Sequence, residues 1–228
     1  MKVTLQKIAD TDLGNAKYGY QLSDNSAKLA ISLHRCRPKS LSPADEKRLW
    51  QWMNYPHVAK FWHQAWSKEK IKQYLLKQIN SHHAVYFIAI ENMPIAYAEL
   101  YPIKDDVLST CCEHQYNDWG WHFLIGPQVL IGKGIAHVIG HAILRFLFTQ
   151  TTAAHIFCEP DVYNQRMINL VKRLAHHSQG VIQLADKKAA LMVCNKTDFI
   201  NLATPQLPLN IPFVIDALQQ QSKEELCR

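Results

Sequence analysis

The segment from residue 119 to residue 160 constrains the fold more than any other part of the chain. A short apolar stretch, WGWHFLIG (119–126), predicts a strand near the middle of a sheet. It leads through Gly132-Lys133-Gly134 into a pattern at 135–150 whose apolar residues recur at helical spacing. A second apolar stretch at 153–160 predicts another strand. Strand, helix and strand in this order indicate a sheet with some parallel pairing.

The remaining patterns predict helices and antiparallel strands around that unit. Strands are expected at 27–37, 84–91, 94–103 and in a closing pair near 180–195, with Asn92-Met93 as the connection of a hairpin. Helices are expected at 41–54, 66–80 and 164–177, with Ser42 and Ser67 as caps. Residues 104–117 are polar and predict an exposed excursion.

These elements define the expected fold class, which is α+β with a mixed, mostly antiparallel central sheet flanked by helices. We place an N-terminal strand region at 1–40, the core at 41–199 and a peripheral tail at 200–228. The LNIPFVIDAL segment of the tail is apolar enough to dock on the rest of the chain.

Composition limits the kinds of partner. The formal net charge is +6, which favours anionic partners, but the Lys and Arg residues are scattered and form no basic arm, which argues against nucleic acid. No apolar run is long enough to span a membrane, and the first residues lack the apolar stretch of a secretory leader, so a cytoplasmic protein is expected. The six cysteines include no CxxC pair, so we expect reduced thiols.

Gly132-Lys133-Gly134 is the first candidate binding site. Glycines allow close backbone approach, and the N–H groups of Gly134, Ile135 and Ala136 would point at an anion at the start of the helix. Lys133 adds positive charge there. The spacing matches neither a Walker A loop nor a GxGxxG fingerprint, and a plain glycine turn is the alternative interpretation.

The stretch 119–147 resembles the core of the GCN5-related N-acetyltransferase (GNAT) superfamily, and a narrower resemblance spans about 48–199. Seven segments in collinear order are similar to siderophore-biosynthesis acyltransferases: WQWMNYPHVAKFW (50–62), YAELY (97–101), KDDVL (104–108), DWGWHFLIG (118–126), LIGKG (130–134), CEPDVYNQR (158–166) and KKAALM (187–192). The chain departs from these families at Val129, at Tyr163 and at His176-His177, where the narrower group tends toward Gly-Phe.

The resemblance implies a GNAT fold and transfer of an acyl group from coenzyme A to an N-hydroxylated amine, which forms a hydroxamate. Acyl-CoA would be the co-substrate, and no metal would take part. In that family a bulged strand presents backbone amides to the thioester, and the glycine turn holds the pyrophosphate. The implied coenzyme contacts are Leu124, Ile125, Gly132, Lys133, Gly134, Ile135, Ala136 and Asn164. Arg166 is a further candidate, which would either reach a coenzyme phosphate or form a local salt bridge.

Two residues are implied as catalytic. His122 would be the general base that takes the proton of the attacking nitrogen, since imidazole titrates near neutrality. The alternative is a core histidine that is hydrogen-bonded to a backbone carbonyl. Asp161 would orient His122, accept the proton or bind the substrate amine, unless it is a helix N-terminal carboxylate. The candidate acceptor contacts are Trp62, Trp66, Glu99, Asp105 and Asp106, for which a packed core or a solvated loop is the alternative.

One histidine pair has a spacing that can bind a metal. His137 and His141 are four residues apart on one predicted helix, but no Glu lies between them as in HExxH, and no third ligand is assured. The sequence therefore predicts no metal.

Three functions remain open at this point. The first is a succinyl-CoA-favouring acyltransferase for N-hydroxyputrescine or N-hydroxycadaverine, because compact chains of this group resemble its succinylating members. The second is a GNAT acetyltransferase acting on an ordinary amine, such as a polyamine, an antibiotic or a protein. The third is a non-catalytic acyl-CoA-binding module. A homodimer is left open, and no membrane or nucleic-acid partner is expected.

Overall fold

A computed structural model describes residues 13–226, with side chains through residue 220. Its strands are β1 (Ala16–Gln21), β2 (Lys28–Arg35), β3 (Ala84–Ile90), β4 (Met93–Pro102), β5 (Trp119–Ile125), β6 (His155–Cys158), β7 (His176–Gln183) and β8 (Lys188–Asn195). Its α-helices are α1 (Pro43–Met53), α2 (Pro56–Trp62), α3 (Lys68–Ile79), α4 (Ile135–Gln150), α5 (Gln165–Arg173), α6 (Lys196–Ile200) and α7 (Ile211–Leu226).

The described strands form one sheet in the order β1-β2-β3-β4-β5-β6-β8-β7. Every neighbouring pair is antiparallel except β5 and β6, which are parallel and are connected through α4. The predicted α+β class with a mostly antiparallel sheet is confirmed, as is the parallel strand–helix–strand unit. Both predicted caps are present as well, since Ser42 and Ser67 accept hydrogen bonds from the first turns of α1 and α3.

Helices cover both faces of the sheet. On one face α1 and α3 pack on β3, β4 and β5, through residues such as Trp52, Leu75 and Tyr97. On the other face α4, α5 and α7 join a larger core with alternate residues of the same strands, among them Tyr86 and Trp121. Successive side chains of a strand point to opposite faces, so β5 sends His122 towards the α1–α3 side.

The sheet opens between β5 and β6. Trp119 and Gly120 pair with Ile156 and Phe157, and no further pairing of these two strands is formed within residues 13–226. The pairing of β4 with β5 is regular throughout, so the bulge expected on β5 is not found against β4. The separation of β5 from β6, and not a bulge, therefore leaves one backbone edge of β5 available to a ligand.

Several boundaries differ from the sequence predictions. The hairpin turn is Glu91-Asn92 and not Asn92-Met93, because both residues adopt positive φ, the conformation that two-residue hairpin turns require. The segment 104–117 is not wholly exposed, since Leu108 is fully buried in a short 3-10 helix. The sequence also gave no signal for β1, α2, α6 and α7.

The predicted helix at 164–177 ends early, because α5 stops at Arg173 and β7 begins at His176. Ala175 between them has a φ of 59°, a left-handed conformation that favours glycine. His176 is buried and hydrogen-bonds to the Leu174 carbonyl, at 3.0 Å.

The tail is not peripheral over residues 207–215. Leu207, Ile211, Val214 and Ile215 belong to the main core, which confirms that the apolar segment docks. None of the described helices is long and apolar enough to cross a membrane. Residues 1–12, on which the leader prediction rests, and Cys227 lie outside the described residues, and the other cysteines are free thiols.

Candidate active site

A cavity of about 300 Å³ lies where β5 and β6 separate, on the face covered by α1–α3. Trp62 from α2 and Tyr74 from α3 form one wall. Glu99 and His122 form the floor, and the segment after β6 forms the other wall. The lining residues are Phe61, Trp62, Gln64, Tyr74, Gln78, His83, Glu99, Trp121, His122, Phe123, Cys158, Glu159, Pro160, Asp161, Asn164, Met167, Asp186 and Lys187.

The closest polar contact in this cavity joins His122 and Glu159. Nε2 of His122 hydrogen-bonds to one oxygen of Glu159, and Lys187 donates to the same oxygen at 3.2 Å. The hydroxyl of Tyr101 donates to the second oxygen of Glu159 at 3.0 Å and lies 3.1 Å from Nε2. Glu159, not Asp161, therefore orients His122.

The charge states of this pair follow from its contacts. Burial disfavours a charged imidazole, but the charge of Glu159 and the hydrogen bond to it outweigh burial and raise the pKa of His122 to about 10. Burial likewise raises the pKa of Glu159, but His122 and Lys187 outweigh it and lower that pKa to about 2. At neutral pH the pair is an imidazolium and a carboxylate.

Glu99 is a second buried carboxylate on the cavity floor. One of its oxygens accepts hydrogen bonds from the hydroxyls of Tyr74 and Tyr97. The other oxygen, Oε2, lies 3.9 Å from Nδ1 of His122 and 3.9 Å from Nδ1 of His83, which is beyond hydrogen-bond distance. Burial raises the pKa of Glu99, but His122 and the two tyrosines outweigh it and hold that pKa below its usual value. Glu99 therefore offers a charged acceptor to a ligand.

Two polar atoms at this end of the cavity are buried without a hydrogen-bond partner among the described residues, Nδ1 of His83 and Oε1 of Gln64. The His83 ring stacks on Tyr101, with centroids 5.0 Å apart. Because an unpaired buried polar atom costs free energy, these atoms favour a ligand that forms hydrogen bonds with them.

Asp161 and Asn164 also line the cavity, but both are engaged with the backbone. Asp161 accepts from the N–H of Tyr163 at 2.7 Å, and Asn164 caps α5 by accepting from the N–H of Met167 at 3.2 Å. The structure thus brings both predicted residues to the cavity lining.

The glycine turn that was predicted to bind phosphate has both of its glycines at positive φ. Gly132 and Gly134 have φ of 77° and 81°, and α4 begins at Ile135. A Cβ added to Gly132 would meet nothing within 4 Å, so the turn is open to a ligand. Lys133 is exposed beside it.

The two predicted β5 contacts differ in direction. Gly126 donates its N–H to the Ile95 carbonyl at 2.9 Å, and bonded and non-bonded pairs alternate along an antiparallel ladder. The N–H of Ile125 therefore points away from β4 towards the opening, as does that of Phe123, whereas that of Leu124 points towards β4. The Leu124 side chain lies in the core under α1.

Three of the predicted acceptor contacts lie outside the cavity lining, as do all the predicted coenzyme contacts except Asn164. Asp105 ion-pairs with the exposed His82 at 3.7 Å, and Asp106 caps a 3-10 helix through the N–H of Leu108. The Trp66 ring makes an edge contact with the Tyr74 ring, and Arg166 is exposed on α5. Among the described side chains, residues 13–220, no group of three His, Cys, Asp or Glu residues could hold a metal ion.

Sequence reasoning missed Glu159, Lys187, His83 and Tyr101 as members of the site. Three of these residues lie in segments that resemble the siderophore-biosynthesis acyltransferases, so the resemblance contained the information needed to find them. Glu159 is in CEPDVYNQR, Lys187 is in KKAALM and Tyr101 is the last residue of YAELY. No sequence motif marks His83, because this residue reaches the site only through the pairing of β3 with β4.

The family described as acetyltransferase (GNAT) domain matches residues 42–184. The chain belongs to this family, and it is an acyltransferase of the GNAT fold. It is 26% identical over 158 residues to the N-hydroxyputrescine acetyltransferase of Acinetobacter baumannii, with 69% of this chain and 76% of that protein covered.

The fold is also found in solved structures. An uncharacterized protein from Bacillus halodurans superposes with a TM-score of 0.76 and 26% identity, covering 83% of this chain and 94% of its own. Aminoglycoside acetyltransferase AAC(6')-Ib, in complex with coenzyme A, has a TM-score of 0.66 and 21% identity, with 75% and 98% covered.

Proposed function

We propose that this protein transfers an acyl group from acyl-CoA to an N-hydroxylated diamine, of the N-hydroxyputrescine or N-hydroxycadaverine type, and so forms a hydroxamate for siderophore biosynthesis. The similarity to an N-hydroxyputrescine acetyltransferase supports this acceptor class. The observation that carries the proposal is Oε2 of Glu99, which lies between the two imidazoles at a distance too long for a hydrogen bond to either. This oxygen is an acceptor for an O–H group, which an N-hydroxylated amine has and an ordinary amine lacks.

The charge of the cavity supports an acceptor with a second, cationic end. Glu99, Glu159, Asp161 and Asp186 line it, against the cations His122 and Lys187. Carboxylates thus outnumber cations among the lining residues, and this balance favours a distal ammonium over an amino-acid carboxylate. We assign that ammonium to Asp161 and Asp186, away from the buried floor.

Acyl-CoA would lie along the opening of the sheet. The N–H groups of Phe123 and Ile125 would face the thioester carbonyl, and those of Gly134, Ile135 and Ala136 would face the pyrophosphate, with Lys133 and Arg166 near the outer phosphates. Two donors aimed at the developing oxyanion stabilise the tetrahedral intermediate. The solved GNAT structure that contains coenzyme A supports this co-substrate.

Direct transfer is proposed, without a covalent enzyme intermediate. Cys158 is the thiol that lines the cavity, and burial raises its pKa well above the usual value, so it stays protonated. The acceptor nitrogen then attacks the thioester carbon itself.

The role of His122 needs revision. A general base must be neutral, but the contact of Nε2 with Glu159 keeps the His122 ring in its charged form. We propose that His122 is the fixed cation of the site, which compensates Glu99 and Glu159.

The donor preference for succinyl-CoA over acetyl-CoA stays part of the proposal. Apart from His122, Lys187 is the cation among the described lining residues, and it already pairs with Glu159 at 3.2 Å. A succinyl carboxylate would have to share Lys187 with Glu159. Comparison of the two donors therefore tests this part alone.

Release of free coenzyme A from succinyl-CoA and acetyl-CoA tests the proposed function, with N-hydroxyputrescine and putrescine as matched acceptors. We expect strong release with the hydroxylated amine, and the faster donor names the acyl group. Equal or faster release with putrescine would instead support an ordinary amine acetyltransferase, the activity named for AAC(6')-Ib being of that kind. Tight coenzyme A binding without turnover would support a binding module.

A further inference from the structure

Two histidines, His83 and His122, lie beside Glu99 at the floor of the cavity. The rings of His83 and His122 both pack against Tyr101, each with a centroid distance of 5.0 Å. Nδ1 of each ring lies 3.9 Å from the same atom, Oε2 of Glu99. These distances exceed a hydrogen bond, and a donor group held between the rings would contact all three side chains.

The two rings are not equivalent. Nε2 of His122 is held by Glu159, and that ring is an imidazolium. His83 is largely buried, and its Nδ1 has no hydrogen-bond partner in the part of the chain that the structure describes. A neutral and a charged imidazole thus stand on either side of one carboxylate. Such a separation of two similar groups is the usual mark of an acid–base assignment.

We infer that His83 is the general base of the acyl transfer, an inference that rests on the proposed function. The acceptor nitrogen attacks the thioester carbon, and its N–H proton passes to Nδ1 of His83 as the C–N bond forms. The C–S bond then breaks, and the thiolate of coenzyme A takes a proton from solvent. His83 returns its proton to solvent, and the products are hydroxamate and free coenzyme A.

The groups that face His83 explain why it is available. Burial lowers its pKa below the ordinary value, and the positive charges of His122 and His82 lower it further. The carboxylates of Glu99 and Asp106 act in the opposite direction, and Tyr101 stacks as a neutral ring. His122 therefore acts on the chemistry through His83, as a positioning residue.

The pH dependence of kcat separates His83 from His122 as base. In the wild type, kcat should fall on the acid side as the base becomes protonated. His83→Gln should remove this limb and lower kcat by about 10²–10⁴-fold. His122→Gln should keep the limb but move it to higher pH, because Glu99 is no longer compensated. His82→Gln, an exposed neighbour, should leave kcat on the plateau unchanged. The opposite result, a limb kept in His83→Gln and lost in His122→Gln, would overturn the inference.

Chemical rescue tests a structural role for the His83 ring. Substituted imidazoles of increasing basicity should restore the turnover of His83→Ala in proportion to their basicity. Restoration that depends only on their size would indicate a packing role and would contradict the inference. The assay uses whichever acceptor the wild type acylates, so a wrong acceptor class does not affect it.

Ring-nitrogen NMR of the histidines gives a result without turnover. In the free protein at pH 7 we expect a neutral His83 and a charged His122, assigned with the two Gln variants. A charged His83, or a neutral His122, would overturn the inference even if no acceptor were acylated.

Discussion

Glu159 holds Nε2 of His122 from the end of β6, two residues before the aspartate that the sequence suggested for this role. Lys187 from the segment between β7 and β8 and Tyr101 from β4 complete the contacts of that carboxylate. The charged centre of the site is thus assembled by strands that are distant in sequence. Its geometry fixes the charge of His122 and so determines what His122 can do.

Glu159→Gln tests the ion pair through stability. The raised pKa of His122 means that the pair's contribution is complete below about pH 6.5 and is lost as pH rises through about 10. The lowered pKa of Glu159 means that its contribution is present above about pH 4.5 and is lost as pH falls through about 2. The variant should lose about 1.5–3 kcal/mol of unfolding free energy between pH 5 and 6.5, and less at pH 9.

Urea unfolding over a series of pH values measures this difference, with Glu113→Gln, an exposed carboxylate, as the control. A stability loss that is the same at pH 6 and pH 9 would contradict the ion pair.

Glu99→Asn and Glu99→Gln test recognition of the acceptor hydroxyl. A buried acceptor that pairs with a substrate O–H discriminates strongly against the analogue without it. We expect the preference for N-hydroxyputrescine over putrescine, measured as a ratio of kcat/KM values, to fall at least tenfold in both variants. Asp105→Asn is the matched control, since that carboxylate pairs with His82 outside the cavity lining. An unchanged ratio in the Glu99 variants would remove Glu99 from acceptor recognition.

Asp161→Asn tests the distal ammonium. The variant should raise the KM for N-hydroxyputrescine several-fold and leave the KM for N-hydroxybutylamine, which has no second amine, unchanged. Steady-state kinetics with both acceptors measure this. Equal effects on the two acceptors would show that Asp161 acts near the reacting nitrogen instead.

Gly134→Ala tests the phosphate turn. A left-handed alanine costs about 1–2 kcal/mol, and the distorted turn should weaken coenzyme A binding while the acceptor KM is kept. Calorimetric titration with coenzyme A measures the change. Gly180→Ala, at a positive φ in β7, is the control for strain alone. Equal coenzyme A affinity in wild type and Gly134→Ala would place the pyrophosphate elsewhere.

Ala175→Gly should stabilise the protein by about 1 kcal/mol, because it removes the strain of a left-handed alanine. Ala217→Gly, in α7, should instead destabilise it, since glycine is unfavourable in a helix. Denaturant unfolding of both variants checks the sign. A loss of stability in Ala175→Gly would contradict the assignment of this position.

The sequence was sufficient where local pattern decides the structure. Periodicity placed the strand–helix–strand unit and the cap residues, and the glycines marked the turn before α4. It was not sufficient where long-range pairing decides, as at β1 and α7, which carry no strong pattern of their own. The end of α5 was missed because Ala175 adopts a conformation that residue type alone does not predict.

The same division holds for the site. His122 and Asp161 were identified through the resemblance, Glu99 and Trp62 were secondary candidates, and all four line the cavity. The partner of His122 was not, because CEPD offers two carboxylates and only the geometry after β6 selects Glu159. The charge of His122, which decides its role, depends on Glu159, Tyr101 and Lys187 and is not readable from any local motif.

A competition assay tests the central claim most directly. N-hydroxyputrescine and putrescine at equal concentration share one vessel with enzyme and acyl-CoA, and mass spectrometry measures the ratio of the two products, which equals the ratio of their kcat/KM values. The account predicts that the hydroxamate exceeds the plain amide by more than a hundredfold. A product mixture in which acylputrescine equals or exceeds the hydroxamate would contradict it.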